Sequence, residues 1–123
     1  MTTAEQGIYQ PNLVVKTSPV ANGAAVSDAI TLDGLCPLKL QIPTPFTSTK
    51  INFSGSVDGG ATFVPIHVNG TLYSLTVAAN SINYLEPKYF VGCEQIKVNT
   101  GSNENGARTL TISLGPVLAT RPQ

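Results

Sequence analysis

Residues 51–68, INFSGSVDGGATFVPIHV, decide the fold. Ile51, Phe53 and Gly55 share one parity and Asn52, Ser54 and Ser56 the other, which is the two-residue period of a half-buried strand. Asp58, Gly59 and Gly60 supply a structural turn, because glycine accepts the positive φ that a tight reversal demands. The chain then returns as TFVPIHV, in which Pro65, lacking an N–H, belongs at a sheet edge or a bulge. The stretch predicts a β-hairpin whose Asp58 carboxylate accepts hydrogen bonds from turn N–H groups or the Thr62 hydroxyl.

The same alternation recurs on both sides of the hairpin. Leu38, Leu40 and Ile42 oppose Lys39 and Gln41 until Pro43 and Pro45 end the run; Ile96 and Val98 oppose Lys97 and Asn99; Leu110, Ile112 and Leu114 oppose Thr109, Thr111 and Ser113. Asn69-Gly70-Thr71 is a turn before LYSLTV, and AANS links that run to INYL. Glu86-Pro87-Lys88-Tyr89-Phe90 predicts one helical turn, with proline at the first helical position, Gly92 as the stop and the aromatic rings plugging one end of the core. The polar stretch NTGSNENGA at 99–107 reads as a mobile loop. Residues 1 to about 25 read as an extended arm, because Ile8, Tyr9, Leu13, Val14 and Val15 lack the surrounding pattern needed to bury them in the chain's own core. Those five residues are therefore assigned to contact with a neighbouring subunit. The expected architecture is all-β: an antiparallel β-sandwich or jelly roll of seven to nine short strands over 26–118, an extended N-terminal arm over 1–25, and a C-terminal tail over 119–123.

Composition narrows the partners. Charged residues make up 11% of the 123, against about 25% in an average globular chain, and 14 Thr, 9 Ser and 9 Asn fill their place. Seven Lys and Arg balance seven Asp and Glu, so no net field draws nucleic acid or anionic lipid. A lightly charged neutral surface is poorly protected from association, which points to a surface covered by other subunits and to a homo-oligomer. MTTAEQGIYQ has neither a basic nor an apolar leader region, and no run of about 18 apolar residues follows, so the expectation is a chain made in the cytoplasm with no membrane partner. Cys36 and Cys93 are too few and too far apart for a metal knuckle and read as buried, unbridged thiols.

No motif carries chemistry. SVDGGATF at 56–63 fits the Asp-box pattern S-x-D-x-G-x-T-[WF] of sialidases and other β-propeller enzymes, but 123 residues cannot hold several blades of about 40–50 residues each. In the propeller enzymes that this stretch resembles, the box lies at blade turns away from the catalytic pocket, so its reading here is a structural turn. His67 is the one histidine, with no evident partner for a triad or a zinc site. Asp28, Asp33, Asp58, Glu86, Glu94 and Glu104 are dispersed, and Asn103, Glu104 and Asn105 contain one carboxylate, a thin basis for calcium. The expectation is a protein that is not an enzyme, with no cofactor and no metal.

SVDGGATF, LEPKYFVGCEQIKVNTG and ARTLTISL, in this order across about half of the chain, resemble a group of small tailed-bacteriophage virion structural proteins with the pattern SxDGGxTF, LxPxxFxG, IKVxSG and ARTLTL. The chain departs from that pattern at Glu86, where Asp is commoner, and at Thr100, where Ser is commoner. The resemblance implies a capsid decoration or cement protein that binds between capsomers in the virion, with the major capsid protein or other virion subunits as partners. It supplies no catalytic residue. The alternatives are a tail or head-tail connector subunit of the virion, and a host-glycan-binding β-sandwich using Tyr73, Tyr84 and Tyr89.

Overall fold

A computed structural model describes residues 13–116. Alternating apolar residues build two antiparallel sheets that face each other. The first is centred on β11 (Arg108–Gly115), flanked by β1 (Val14–Val20) and β3 (Cys36–Ile42), with β9 (Ser81–Tyr84) outside β3. The second contains β2 (Ile30–Thr31), β10 (Gln95–Asn99), β4 (Lys50–Ser56) and β5 (Val64–Pro65) in that order. The far edge of β4 is shared: β5 pairs with Ser54 and Gly55, and β8 (Ser74–Thr76) with Lys50, Ile51 and Asn52. Between β5 and β8 the chain extends as a two-stranded ribbon of β6 (His67–Val68) and β7 (Thr71–Leu72). Its tip is Asn69-Gly70, both at positive φ as a type I′ turn requires. The chain is an antiparallel all-β sandwich, with seven strands of three residues or more and four two-residue segments among the described residues.

The core lies between the sheets. Val20, Leu40, Ile42, Leu110, Ile112 and Leu114 project from the first, and Ile30, Ile51, Phe53, Ile96 and Val98 from the second; all are buried. One end is closed as expected by a 3-10 turn, Pro87–Phe90, entered through Pro87. Phe90 is fully buried and meets Phe53 edge-on at 5.2 Å, while Tyr73 stacks on Phe53 at 5.8 Å and meets Tyr89 at 5.0 Å. Such geometry adds about 1 kcal/mol per pair beyond the area buried.

The expected arm needs correction from Val14 onward. Val14–Val20 pairs with β11 residue by residue, from Val14 opposite Leu114 to Val20 opposite Arg108. The signal overlooked is the alternation of Lys16, Ser18 and Val20, of which Ser18 and Val20 are buried. The sandwich thus includes residues placed in the arm, and the 1–25 and 26–118 boundary does not divide the fold. Ile8, Tyr9 and the tail at 119–123 lie outside the described residues.

The loop at 99–107 is anchored, not mobile, at Glu104. Its N–H donates to Ala24 O at 2.9 Å and its carbonyl accepts from Gly23 N–H at 2.8 Å. Its carboxylate is fully buried. Oε1 accepts from Thr47 N–H and from Arg108 Nε, at 2.8 and 2.9 Å; Oε2 accepts from Ser48 N–H and the Ser48 hydroxyl, at 2.8 and 2.6 Å. Burial alone raises the carboxyl pKa, but the Ser48 hydroxyl, Thr47 N–H and Arg108 guanidinium outweigh it and hold it at about 2. A single residue, through its backbone and its carboxylate together, therefore ties the 23–24 and 47–48 segments to its own loop.

Candidate interaction surfaces

The Asp58 turn is internally satisfied. Ser56 sits at the end of β4 with its hydroxyl donating to Asp58 Oδ1 at 2.7 Å and accepting from Gly60 N–H at 2.9 Å; Oδ1 also accepts from Thr62 N–H at 3.0 Å. The Ser56 hydroxyl first, then Thr62 N–H, lower the Asp58 pKa. Gly59 and Gly60 lie at φ 73° and 94°. A Cβ at Gly60 would come within 2.8 Å of the Gln95 amide, whose nitrogen donates to Gly59 O. Phe63 follows on the outer face of the second sheet, with the Lys97 amine 4.4 Å from its ring centre. The Ser56 hydroxyl and Asp58 Oδ1 are thus both engaged in shaping the turn.

The remaining polar candidates do not converge. His67 is exposed on the ribbon opposite Leu72, with Nδ1 3.4 Å from Pro65 O. Among the described residues, no three His, Cys, Asp or Glu side chains group closely enough to hold a metal. Tyr73 and Tyr89 belong to the aromatic end-plug, which separates them from the exposed Tyr84. Cys36 and Cys93 are both unbridged; Cys36 is buried but Cys93 only half-buried, and burial raises both thiol pKa values.

Two features remain on the outside of the first sheet. One is its edge. Pro19 O accepts from Asp28 N–H, so Pro19 directs its backbone groups away from β11. The period of two then turns the N–H and C=O groups of Thr17 and Val15 to the same open side, where they have no backbone partner among the described residues. Leu13, Val14 and Val15 are exposed beside them. Lys16 guards this edge, its amine 2.6 Å from Thr31 O and 2.9 Å from Asp33 Oδ2 across the seam between the sheets.

The second feature is the outer face itself. Pairing aligns Tyr84, Lys39, Ser113 and Val15 in one row across the four strands, and Ile82, Gln41, Thr111 and Thr17 in the next. Tyr84 is 75% exposed, Val15 62% and Ile82 60%. Lys39 is the one charge in these rows, and its amine lies 5.2 Å from the Tyr84 ring centre. The sequence reading missed Ile82 and named Tyr84 only for glycan binding, because a period of two in INYL shows that two faces exist without showing which one meets the core.

At one end of the sandwich a groove of about 750 Å³ opens between the 31–36 segment, Gly59 and the 91–95 segment. Leu35, Cys36, Val91 and Cys93 give it apolar walls, and among the described residues Asp33 and Glu94 supply its charges. No family model matches this chain, and no curated protein matches it.

Proposed function

We propose that this chain is a virion structural protein, a capsid decoration or cement subunit that binds between capsomers and stabilises the head shell. The observation that carries the proposal is the first sheet. Its outer face places Val15, Ile82 and Tyr84 in solvent with one lysine for charge, and its edge strand has backbone groups with no backbone partner among the described residues, beside Leu13 and Val14. Large apolar side chains on a weakly charged sheet face mark an association surface. An open edge lends itself to strand addition by a neighbour, in which backbone hydrogen bonds give affinity and alternate side chains give specificity. The phage-like motifs SVDGGATF, LEPKYFVGCEQIKVNTG and ARTLTISL favour capsid protein or another virion subunit as that neighbour. Stabilisation of the shell would come from buried area, on the order of 1,000 Å² or more per interface.

The test is co-sedimentation of the purified chain with heads that lack it. The unmodified chain is expected to pellet with heads and to raise their resistance to heat. Val15→Asp and Tyr84→Asp, both at exposed positions, are expected to abolish pelleting while leaving the isolated chain folded. A chain that binds heads equally well with both substitutions would overturn the assignment of the surface, and a chain that never binds would overturn the virion role.

A further inference from the structure

Asparagine followed by glycine occurs three times in the chain, at Asn22-Gly23, Asn69-Gly70 and Asn105-Gly106. In such a pair the peptide nitrogen of the glycine can attack the asparagine side-chain carbonyl, since glycine has no Cβ to hinder the approach. All three asparagines are exposed, but the fold restrains the pairs unequally. In the first, Gly23 N–H, the attacking group, donates to Glu104 O at 2.8 Å. In the third, Asn105 Oδ1 accepts from Arg108 Nη2 at 2.7 Å and from the Thr47 hydroxyl at 3.2 Å, and a Cβ at Gly106 would stand 2.6 Å from Arg108 Nη1. Both pairs are thereby fastened to the anchor around Glu104. Asn69-Gly70 has no such tether. Among the described residues the Asn69 side chain and Gly70 N–H make no hydrogen bond, and a Cβ at Gly70 would meet nothing within 4 Å. The ribbon that carries this pair is held by two residue pairs, His67 with Leu72 and Val68 with Thr71, and His67, Thr71 and Leu72 are exposed. Opening so small and solvated a unit costs far less than unfolding the sandwich.

We propose that Asn69 is a site of spontaneous deamidation in the folded protein, and that the fold protects Asn22 and Asn105 from the same reaction. In the opened ribbon the Gly70 nitrogen gives up its proton to solvent base and bonds to Asn69 Cγ. The Cγ–Nδ2 bond breaks, and Nδ2 leaves as ammonia with protons from solvent. Water then opens the cyclic imide. Attack at Cγ yields aspartate, and attack at the Asn69 backbone carbonyl yields isoaspartate, whose main chain runs through Cγ. The net exchange is one water consumed and one ammonia released, with no change of oxidation state. Either product carries a carboxylate that is ionised at neutral pH, so a chain of formal net charge zero becomes an anion. Isoaspartate also adds a carbon to the main chain between Val68 and Thr71, which takes the ribbon out of register.

The test incubates the full folded chain in mildly alkaline buffer made with heavy-oxygen water and follows the three Asn-Gly peptides by mass, beside a parallel sample in denaturant. The label separates newly formed product from any formed before the incubation. In denaturant the three sites are expected to react at similar rates. In the folded chain Asn69 is expected to stay within a few-fold of that rate, while Asn22 and Asn105 fall at least about tenfold behind it, because their reaction waits for a larger opening. Labelled aspartate and isoaspartate are both expected at Asn69. Asn69→Gln, whose longer side chain cyclises far more slowly, is expected to remove the acidic form that ion exchange resolves as the unmodified chain ages. A folded-state rate at Asn69 no greater than that at Asn22 or Asn105 would overturn the proposal. Aspartate without isoaspartate would overturn the cyclic route.

Discussion

Glu104 and Arg108 are four residues apart, both buried, and joined by a 2.9 Å bond from Arg108 Nε to Glu104 Oε1. The same carboxylate holds the N–H groups of Thr47 and Ser48, and Arg108 Nη2 donates to Asn105 Oδ1 at 2.7 Å. Removing one member of a buried, hydrogen-bonded ion pair leaves the other uncompensated. Glu104→Ala is accordingly expected to cost about 3–5 kcal/mol in chemical denaturation. Glu104→Ala/Arg108→Met is expected to cost less than the sum of the two single changes, since the stranded charge is gone. Additive costs would show that the two residues act independently.

Acid should unfold the protein through the same group. The folded-state pKa of Glu104, about 2, lies below its ordinary value of 4.5. Its stabilisation is therefore complete above pH 4.5, falls as pH drops from 4.5 toward 2, and is absent below that. The difference amounts to on the order of 3 kcal/mol. Denaturation midpoints measured from pH 6 down to pH 2 are expected to show this loss, and Glu104→Gln is expected to flatten that part of the curve.

The Asp58 turn provides a contrasting case, since its bonds are local and exposed. Asp58→Ala is expected to lower the thermal midpoint by less than Glu104→Ala does, and Asp58→Asn, whose side-chain oxygen can still accept from Ser56 and Thr62, to recover most of the loss. Head binding should be unchanged in both. Lost binding at an unchanged midpoint would make Asp58 part of the interaction surface.

Deletion of residues 14–20 is expected to prevent folding, because it strips one side of β11 and exposes buried Leu110 and Ile112. Circular dichroism and solubility would check this. A soluble, folded product would return the segment to the role of a detachable arm.

Thiol titration in denaturant without reductant is expected to find two free groups per chain, since Cys36 and Cys93 are unbridged. A count of zero would mean that the pair had been oxidised to a disulfide.

Strands whose apolar residues alternate were readable from the sequence, because one buried face leaves a period of two; β4, β10 and β11 all carry it. The aromatic plug was readable for a different reason: proline at the start of a turn and Gly92 after it are local signals. What escaped was decided at long range. β1 looks like an arm because Val14 and Val15 are apolar yet exposed, and its membership in the sheet depends on pairing with β11, almost a whole chain away. Glu104 looks like a loop residue because its partners Thr47 and Ser48 are more than 50 positions distant. Ile82 and Tyr84 have strand residues' chemistry, and only the register against β3 turns them outward.

The opposition of Val14 and Leu114 also sets a timetable for synthesis. β1 and β3 have no hydrogen-bonded contact with each other except through β11, which lies between them and is made last of the three. While a ribosome is still translating residue 108, both strands must wait with Leu40 and Ile42 uncovered on that side, and the first sheet cannot close until Gly115 has left the exit tunnel. Closure of the first sheet thus waits for residues 108–115 and is expected to be slow for a domain of this size, as pairings between distant segments generally are. During that interval the exposed apolar faces and open strand edges leave nascent chains prone to pair with one another, with few charges to oppose it.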